Sequence, residues 1–211
     1  MSVIEVEGMS KSYRGRFLYK DVSFTIEKGE ITAVSGPNGS GKSVLFRLLC
    51  GFLAPDSGVV RIDPGYLSKG RDFPEKFGVV IDRPAYLAGK TGLENLRELA
   101  AIRGVVTDAD VKTTMQRVGL DPELRQKVRH YSLGMKQKLA LAQALMESPE
   151  VLILDEPFNA LDVDSVLRVK GIIRELNASG VTVVFTSHNA ADIDDLASRR
   201  FIIENEMITA A

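Results

Sequence analysis

Apolar residues recur along the chain in two rhythms. Residues 3–7 and 22–26 alternate or nearly alternate apolar with polar, the pattern of strands with one face in water. Residues 31–35, 77–81, 151–154 and 181–185 are short apolar or β-prone runs, as expected of buried strands; the unbroken run 151–154 is that of a parallel strand covered on both faces. Short strands are also expected at 59–62 and 201–203. Helical spacing fills the intervals. Residues 44–50 form one mostly buried helix, and Val166, Val169, Ile172, Ile173 and Leu176 lie three or four apart in another that begins at Asp162. Thr91-Gly92-Leu93-Glu94 reads as a capping box opening a helix to about Arg103. Asp108 caps a second helix through Val118, and Asp121-Pro122 opens a third, short one. Ser132 caps a longer helix to about Glu147, and a short helix runs from about Asn189 to Ala197.

Strand and helix therefore alternate, which predicts an α/β fold with a parallel, doubly wound core sheet and a ligand site at its carboxyl edge. The stretch 63–75 carries two prolines and two glycines and reads as irregular surface. From residue 82 to about 133 the pattern is helical, a block inserted into the α/β core. The chain is expected to be one domain over 1–211, with its core at 1–82 and 139–211 and the insertion at about 83–138. No repeat or low-complexity segment interrupts it.

Composition narrows the class. The 211 residues suffice for a substantial core, and a net charge of −1 argues against general nucleic-acid binding. The single cysteine, Cys50, excludes a disulfide framework and points to a reducing cytosol. No apolar run approaches the roughly 20 residues needed to cross a bilayer, and the first residues lack a signal peptide's apolar stretch. A soluble, cytoplasmic protein is expected.

The chemistry centres on Gly36-Pro37-Asn38-Gly39-Ser40-Gly41-Lys42-Ser43, a G-x-x-x-x-G-K-[ST] phosphate-binding loop between a strand-like run and a helix. Glycines let successive backbone N–H groups turn toward phosphate oxygens, and the helix N-terminus adds its positive dipole end. Lys42 is suited to neutralising β- and γ-phosphates, and the Ser43 hydroxyl to ligating Mg²⁺. The apolar run 151–154 ends in Asp155-Glu156, suited respectively to holding Mg²⁺ through its water shell and to polarising an attacking water. Ser132, at a helix start with no acid until Glu147, offers a hydroxyl and free N–H groups to an anion; Lys136 and Lys138 add positive potential.

In these residues the chain resembles the ATP-binding subunit of ABC transporters, a P-loop NTPase, over nearly its whole length. The family's signature segment is matched by Tyr131-Ser132-Leu133-Gly134-Met135, and its loop after the catalytic glutamate by Asn159-Ala160-Leu161-Asp162. The switch histidine is matched by His188, and the adenine-stacking aromatic by Tyr13, with Phe17 and Tyr19 as alternatives. The resemblance implies N-terminal antiparallel strands and an inserted helical subdomain. It implies Glu156, His188 and Lys42 as catalytic, and Ser43, Asp155 and Asp82 as the residues at Mg²⁺. It further implies ATP contacts from Tyr13, residues 36–43, Val44, Ser132, Leu133, Gly134, Met135 and Asp162. Leu133 and Met135 depart from the usual signature glycine and glutamine. Val44 stands for the usual threonine, and Asp82 for the usual glutamine before the helical block. This form looks like the branch containing bacitracin-type and other ABC-2 exporters. The implied assembly is a head-to-tail dimer with itself or a paralogue, on a separate transmembrane permease at the inner face of the plasma membrane, with no nucleic acid. The alternatives are a soluble ABC-type ATPase acting on nucleic acid, ribosomes or cofactor assembly, and a small-molecule kinase. The kinase leaves residues 131–139 unexplained.

Overall fold

In the computed structural model, residues 1–67, 73–82 and 85–211 are described. Two sheets share the chain. A three-stranded antiparallel sheet, order β2-β1-β4, is built from β1 (Ser2–Tyr13), β2 (Arg16–Glu27) and β4 (Ser57–Ile62). A six-stranded sheet, order β5-β6-β7-β3-β8-β9, contains β3 (Ile31–Ser35), β5 (Phe77–Val80), β6 (Val151–Leu154), β7 (Thr182–Thr186), β8 (Arg199–Glu204) and β9 (Met207–Ala210). Its first five strands run parallel, and β9 alone returns antiparallel along β8.

The apolar strands are buried on both faces because successive side chains enter different cores. Val151, Ile153 and Val184 join one core with α1 (Lys42–Leu49) and the antiparallel sheet. Leu152, Leu154, Val183 and Phe185 join the other, with α4 (Leu133–Leu145) and α5 (Val163–Ala178). Two helices of the inserted block, α2 (Gly92–Arg103) and α3 (Asp108–Arg117), pack on α4, which also lies against β5. The chain's last helix, α6 (Ala190–Leu196), is capped by Asn189.

Caps set most helix starts as expected. Thr91 and Glu94 form a reciprocal capping box on α2, Ser132 caps α4 and Asp162 caps α5. For α3 the cap is Thr107 rather than Asp108, because Thr107 completes a second box with Asp110. The expected short helix at Asp121-Pro122 is absent. The Asp121 carboxylate instead accepts the N–H of Glu123 (2.9 Å), and Val128 and Arg129 donate N–H groups to the carbonyls of Lys90 and Ala88 (2.8 and 3.1 Å). Those long-range bonds leave room for a single 3₁₀ turn, Val128–His130. The return strand β9 was also not expected. Its turn residues Asn205 and Glu206 both take positive φ (49° and 65°), a hairpin geometry usually signalled by glycine. Part of the irregular stretch 63–75 lies outside the described residues; the rest holds a 3₁₀ turn, Pro64–Tyr66.

Close packing of β5 on α4 depends on Gly78, where an added Cβ would meet the Ala144 carbonyl oxygen at 2.1 Å. Backbone oxygen cannot swing aside, so Gly78→Ala should destabilise by about 1–3 kcal/mol, read as a lower Tm in thermal unfolding. Gly171 lies in α5 with nothing within 4 Å of an added Cβ, so Gly171→Ala should raise Tm by restoring helix propensity.

Candidate functional site

The phosphate loop leaves the C-terminal end of β3 and closes into α1. Gly41, the N-cap residue, has φ 101° and no side-chain bond to the helix, and no acid occupies the first turn. The first amides of α1 are therefore unpaired within the helix and uncompeted for by a carboxylate. Gly41 is required on a second count, since a Cβ there would lie 2.4 Å from the Tyr19 hydroxyl oxygen. The fully buried Tyr19 donates that hydroxyl to the Gly41 carbonyl (2.5 Å), and burial pushes its pKa well above the ordinary value. Tyr19 thus braces the loop from beneath and presents no ring to a ligand. Lys42 is buried too, and its Nζ donates to the carbonyls of Gly36 (2.9 Å) and Pro37 (3.2 Å). Ser40 Oγ is buried without a partner.

Strand β6 delivers the two carboxylates beside this loop. Asp155 accepts from the Ser43 hydroxyl through Oδ2 (2.5 Å) and from Thr186 Oγ1 through Oδ1 (2.7 Å). Thr186 Oγ1 in turn accepts the N–H of Glu156 (2.8 Å), so one hydroxyl at the end of β7 fixes both acidic residues. Glu156 takes φ 49°. Its Oε1 lies 3.1 Å from His188 Nε2, but not in hydrogen-bonding alignment, so that buried oxygen has no donor. Burial raises the Glu156 pKa, the imidazole and Lys42 oppose the rise, and the Asp155 charge reinforces it. A carboxylate held reactive in this way is suited to taking a proton.

These groups line a cavity of about 470 Å³ together with Tyr13, Leu18, Asn38, Gly39, Gly41, Val44 and Arg47. Tyr13 is 64% exposed at its rim; Phe17 does not line it. The donors present fit a nucleotide polyphosphate: unpaired helix amides and the Lys42 cation converge on one space. They also fit Mg²⁺, a hard ion that takes one or two protein oxygens and completes its shell with phosphate and water. Ser43 and Asp155 supply such a pair; among the described residues no group of three or more acidic, histidine or cysteine side chains forms a self-sufficient cation cage.

Three predicted elements lie outside the cavity. Ser132 caps α4 by accepting the Met135 N–H (3.1 Å), Leu133 is 74% exposed, and Gly134 packs so closely that a Cβ would meet the Ala160 carbonyl at 2.6 Å. Asp162 caps α5 through the Ser165 N–H (2.8 Å). Asp82 pairs with Arg47 and faces a separate, larger cleft of about 860 Å³ between β5, α4 and the end of α1. Arg47 lines both spaces.

Two functional residues escaped the sequence reading. Thr186 was visible as a hydroxyl closing a buried apolar strand before His188. Gln137 donates its amide to the carbonyls of Glu156 (3.2 Å) and Pro157 (3.1 Å), tying α4 to the end of β6. Nothing in its spacing distinguished it from a surface glutamine.

The comparisons agree with this geometry. A sequence profile described as "ABC transporter" matches residues 19–159. An uncharacterized ABC transporter ATP-binding protein of Bacillus subtilis is 38% identical over 194 residues, covering 92% of this chain and 89% of the relative. The bacitracin transport ATP-binding protein of Enterococcus faecalis is 34% identical over 197 residues, covering 92% of this chain and 64% of that protein. Among solved structures, a bacterial ABC transporter cassette determined as a dimer superposes with TM-score 0.84 at 25% identity, covering 97% of this chain and 96% of that one. With its phosphate loop, paired carboxylates and fold all in agreement, the chain belongs to the ABC transporter family, as the ATP-binding and ATP-hydrolysing component.

Proposed function

We propose that this chain powers export through a separate transmembrane permease, working as a head-to-tail dimer with itself or a paralogue. The observation that carries the proposal is a site in two pieces. The cavity holds the phosphate loop, Asp155, Glu156 and His188, while Ser132, Leu133, Gly134 and Met135 sit on a different, exposed edge of the same chain. An anion clamp set apart from its own phosphate loop suits a second subunit. Ala160 and Leu161, in the turn before Asp162, pack against Gly134. No helix among the described residues is long and apolar enough to cross a membrane, so the transport path belongs to the permease. Attachment to it would place the chain at the inner face of the plasma membrane. Transport is the activity carried by the name of the bacitracin relative, and it is extended here to this chain.

Within the site, Lys42 and the first amides of α1 bind the phosphates, and Tyr13 offers a ring for the base. Mg²⁺, held by Ser43 and Asp155, supplies charge neutralisation at the phosphates. Glu156 takes a proton from the attacking water, and His188 orients that water and the terminal phosphate. The 860 Å³ cleft, lined by Phe52, whose ring packs on Phe73 (5.7 Å), is the surface offered to the permease. Arg47 lines both that cleft and the nucleotide cavity, and Asp82 pairs with it from the cleft side.

Glu156→Gln should keep ATP affinity while lowering turnover by roughly 10²-fold or more, measured as kcat beside nucleotide binding. Because the Glu156 pKa is raised and its deprotonated form is the active one, the acid limb of the kcat profile should lie above the range of an ordinary glutamate. Equal rates for wild type and Glu156→Gln would remove it from the mechanism.

Asp82→Ala should leave nucleotide binding intact while slowing hydrolysis or uncoupling it from the permease, measured in the reconstituted complex. Unchanged rate and coupling would make Asp82 a turn residue, held at φ 57° by its pairing with Arg47 alone.

Lys42→Ala and Ser132→Arg should each be inactive alone, yet recover activity when mixed, since one site of the mixed dimer keeps an intact loop and an intact clamp. ATP-dependent dimers should accumulate in Glu156→Gln and dissociate with ADP. Failure of dimers to form with ATP, even beside the permease, would overturn the shared-site reading.

A further inference from the structure

Behind the catalytic residues lies a buried ionic cluster that nucleotide binding does not use. Lys170, on α5, is 6% exposed and Asp192, on α6, is 7% exposed. Lys170 Nζ donates to Asp192 Oδ1 (2.8 Å) and to Asp195 Oδ2 (2.9 Å), and Asp195 also pairs with Arg174. Burial alone would lower the Lys170 pKa, but the two carboxylates outweigh it and hold the ammonium charged. An apolar side chain would fill the same space without desolvating a charge, so packing does not account for a cation at this position.

The cluster reaches both catalytic loops. Asp192 Oδ2 accepts from Ser187 Oγ (3.2 Å), and the same oxygen of Ser187 accepts the Asn189 N–H (3.1 Å), bracketing His188 from both sides. In the other direction, Lys170 Nζ sits 5.8 Å from the ring centre of Phe158, two residues after Glu156. Phe158 meets Phe185 edge-on (6.0 Å), and Phe185 immediately precedes Thr186. One ammonium therefore contacts the segment following Glu156 and, through Asp192 and Ser187, the turn carrying His188.

We infer that Lys170 is a positioning residue for hydrolysis, fixing the His188 turn relative to Glu156 through Asp192 and Ser187. The inference rests on the roles proposed above for His188 and Glu156. It differs from a plain staple between α5 and α6 in acting through His188, and that difference is measurable.

The test compares Lys170→Met and Ser187→Ala, each in wild type and in a His188→Ala background, by kcat and KM for ATP and by Tm. Lys170→Met should lower kcat on the order of tenfold with KM changed less than about threefold, and Lys170→Arg should restore most of the rate. Ser187→Ala leaves no charge unpaired and decides the matter if Lys170→Met does not fold; it should lower kcat in the same direction. In the His188→Ala background both substitutions should have little further effect. If His188→Ala is slow and the second substitutions multiply its loss, or if they change Tm and KM but not kcat, Lys170 only joins two helices. If His188→Ala keeps the wild-type rate, the role of His188 itself falls, and the inference with it.

Discussion

The site depends on one carboxylate bonded on both sides. Asp155 is 9% exposed, and each of its oxygens is engaged, one by Ser43 from the phosphate loop and one by Thr186 from β7. A buried carboxylate is tolerable only when its lone pairs are met, so the loop, β6 and β7 must sit in one register for the fold to close. That register comes from the parallel pairing of Leu154 with Phe185 and of Val34 with Thr186. Stability of the core and geometry of the site are thus one requirement.

The same logic extends outward in layers. Tyr19, from the antiparallel sheet, fixes Gly41; Gln137, from α4, fixes the residues after Asp155; the cluster around Lys170 fixes the turn after β7. Each support comes from a different element. The reactive groups are therefore held by side chains that do not line the cavity, while the loops that carry them stay short.

Much of this was legible in the sequence, and the exceptions have physical reasons. The apolar runs 151–154 and 181–185 announced central strands because both their faces are covered, and the phosphate loop announced its helix because Gly41, Lys42 and Ser43 suit an N-terminus. The segment after Asp121 misled because proline and aspartate favour a helix start locally, whereas the bonds from Val128 and Arg129 to a distant loop are long-range and invisible in a window. The β8–β9 hairpin was missed because Asn205-Glu206 adopts positive φ without glycine. Of the site, residue types that react were readable; residues such as Gln137 and Thr186, which act by where a single hydrogen bond lands, were not. Nor could spacing reveal that residues 132–135 lie outside the cavity that residues 38–43 help to line.

Thr186 carries one proton, and the structure says where it points. Its oxygen accepts from the Glu156 backbone and gives its hydrogen to Asp155, so the donor capacity of that hydroxyl is already committed. Nothing from β7 is left to hydrogen-bond the Glu156 side chain, whose buried Oε1 consequently faces only His188 and whatever enters the cavity. Two adjacent acids at the end of β6 are thereby made chemically unlike by the polarity of a single O–H bond: each Asp155 oxygen accepts a hydroxyl, whereas Glu156 Oε1 accepts none.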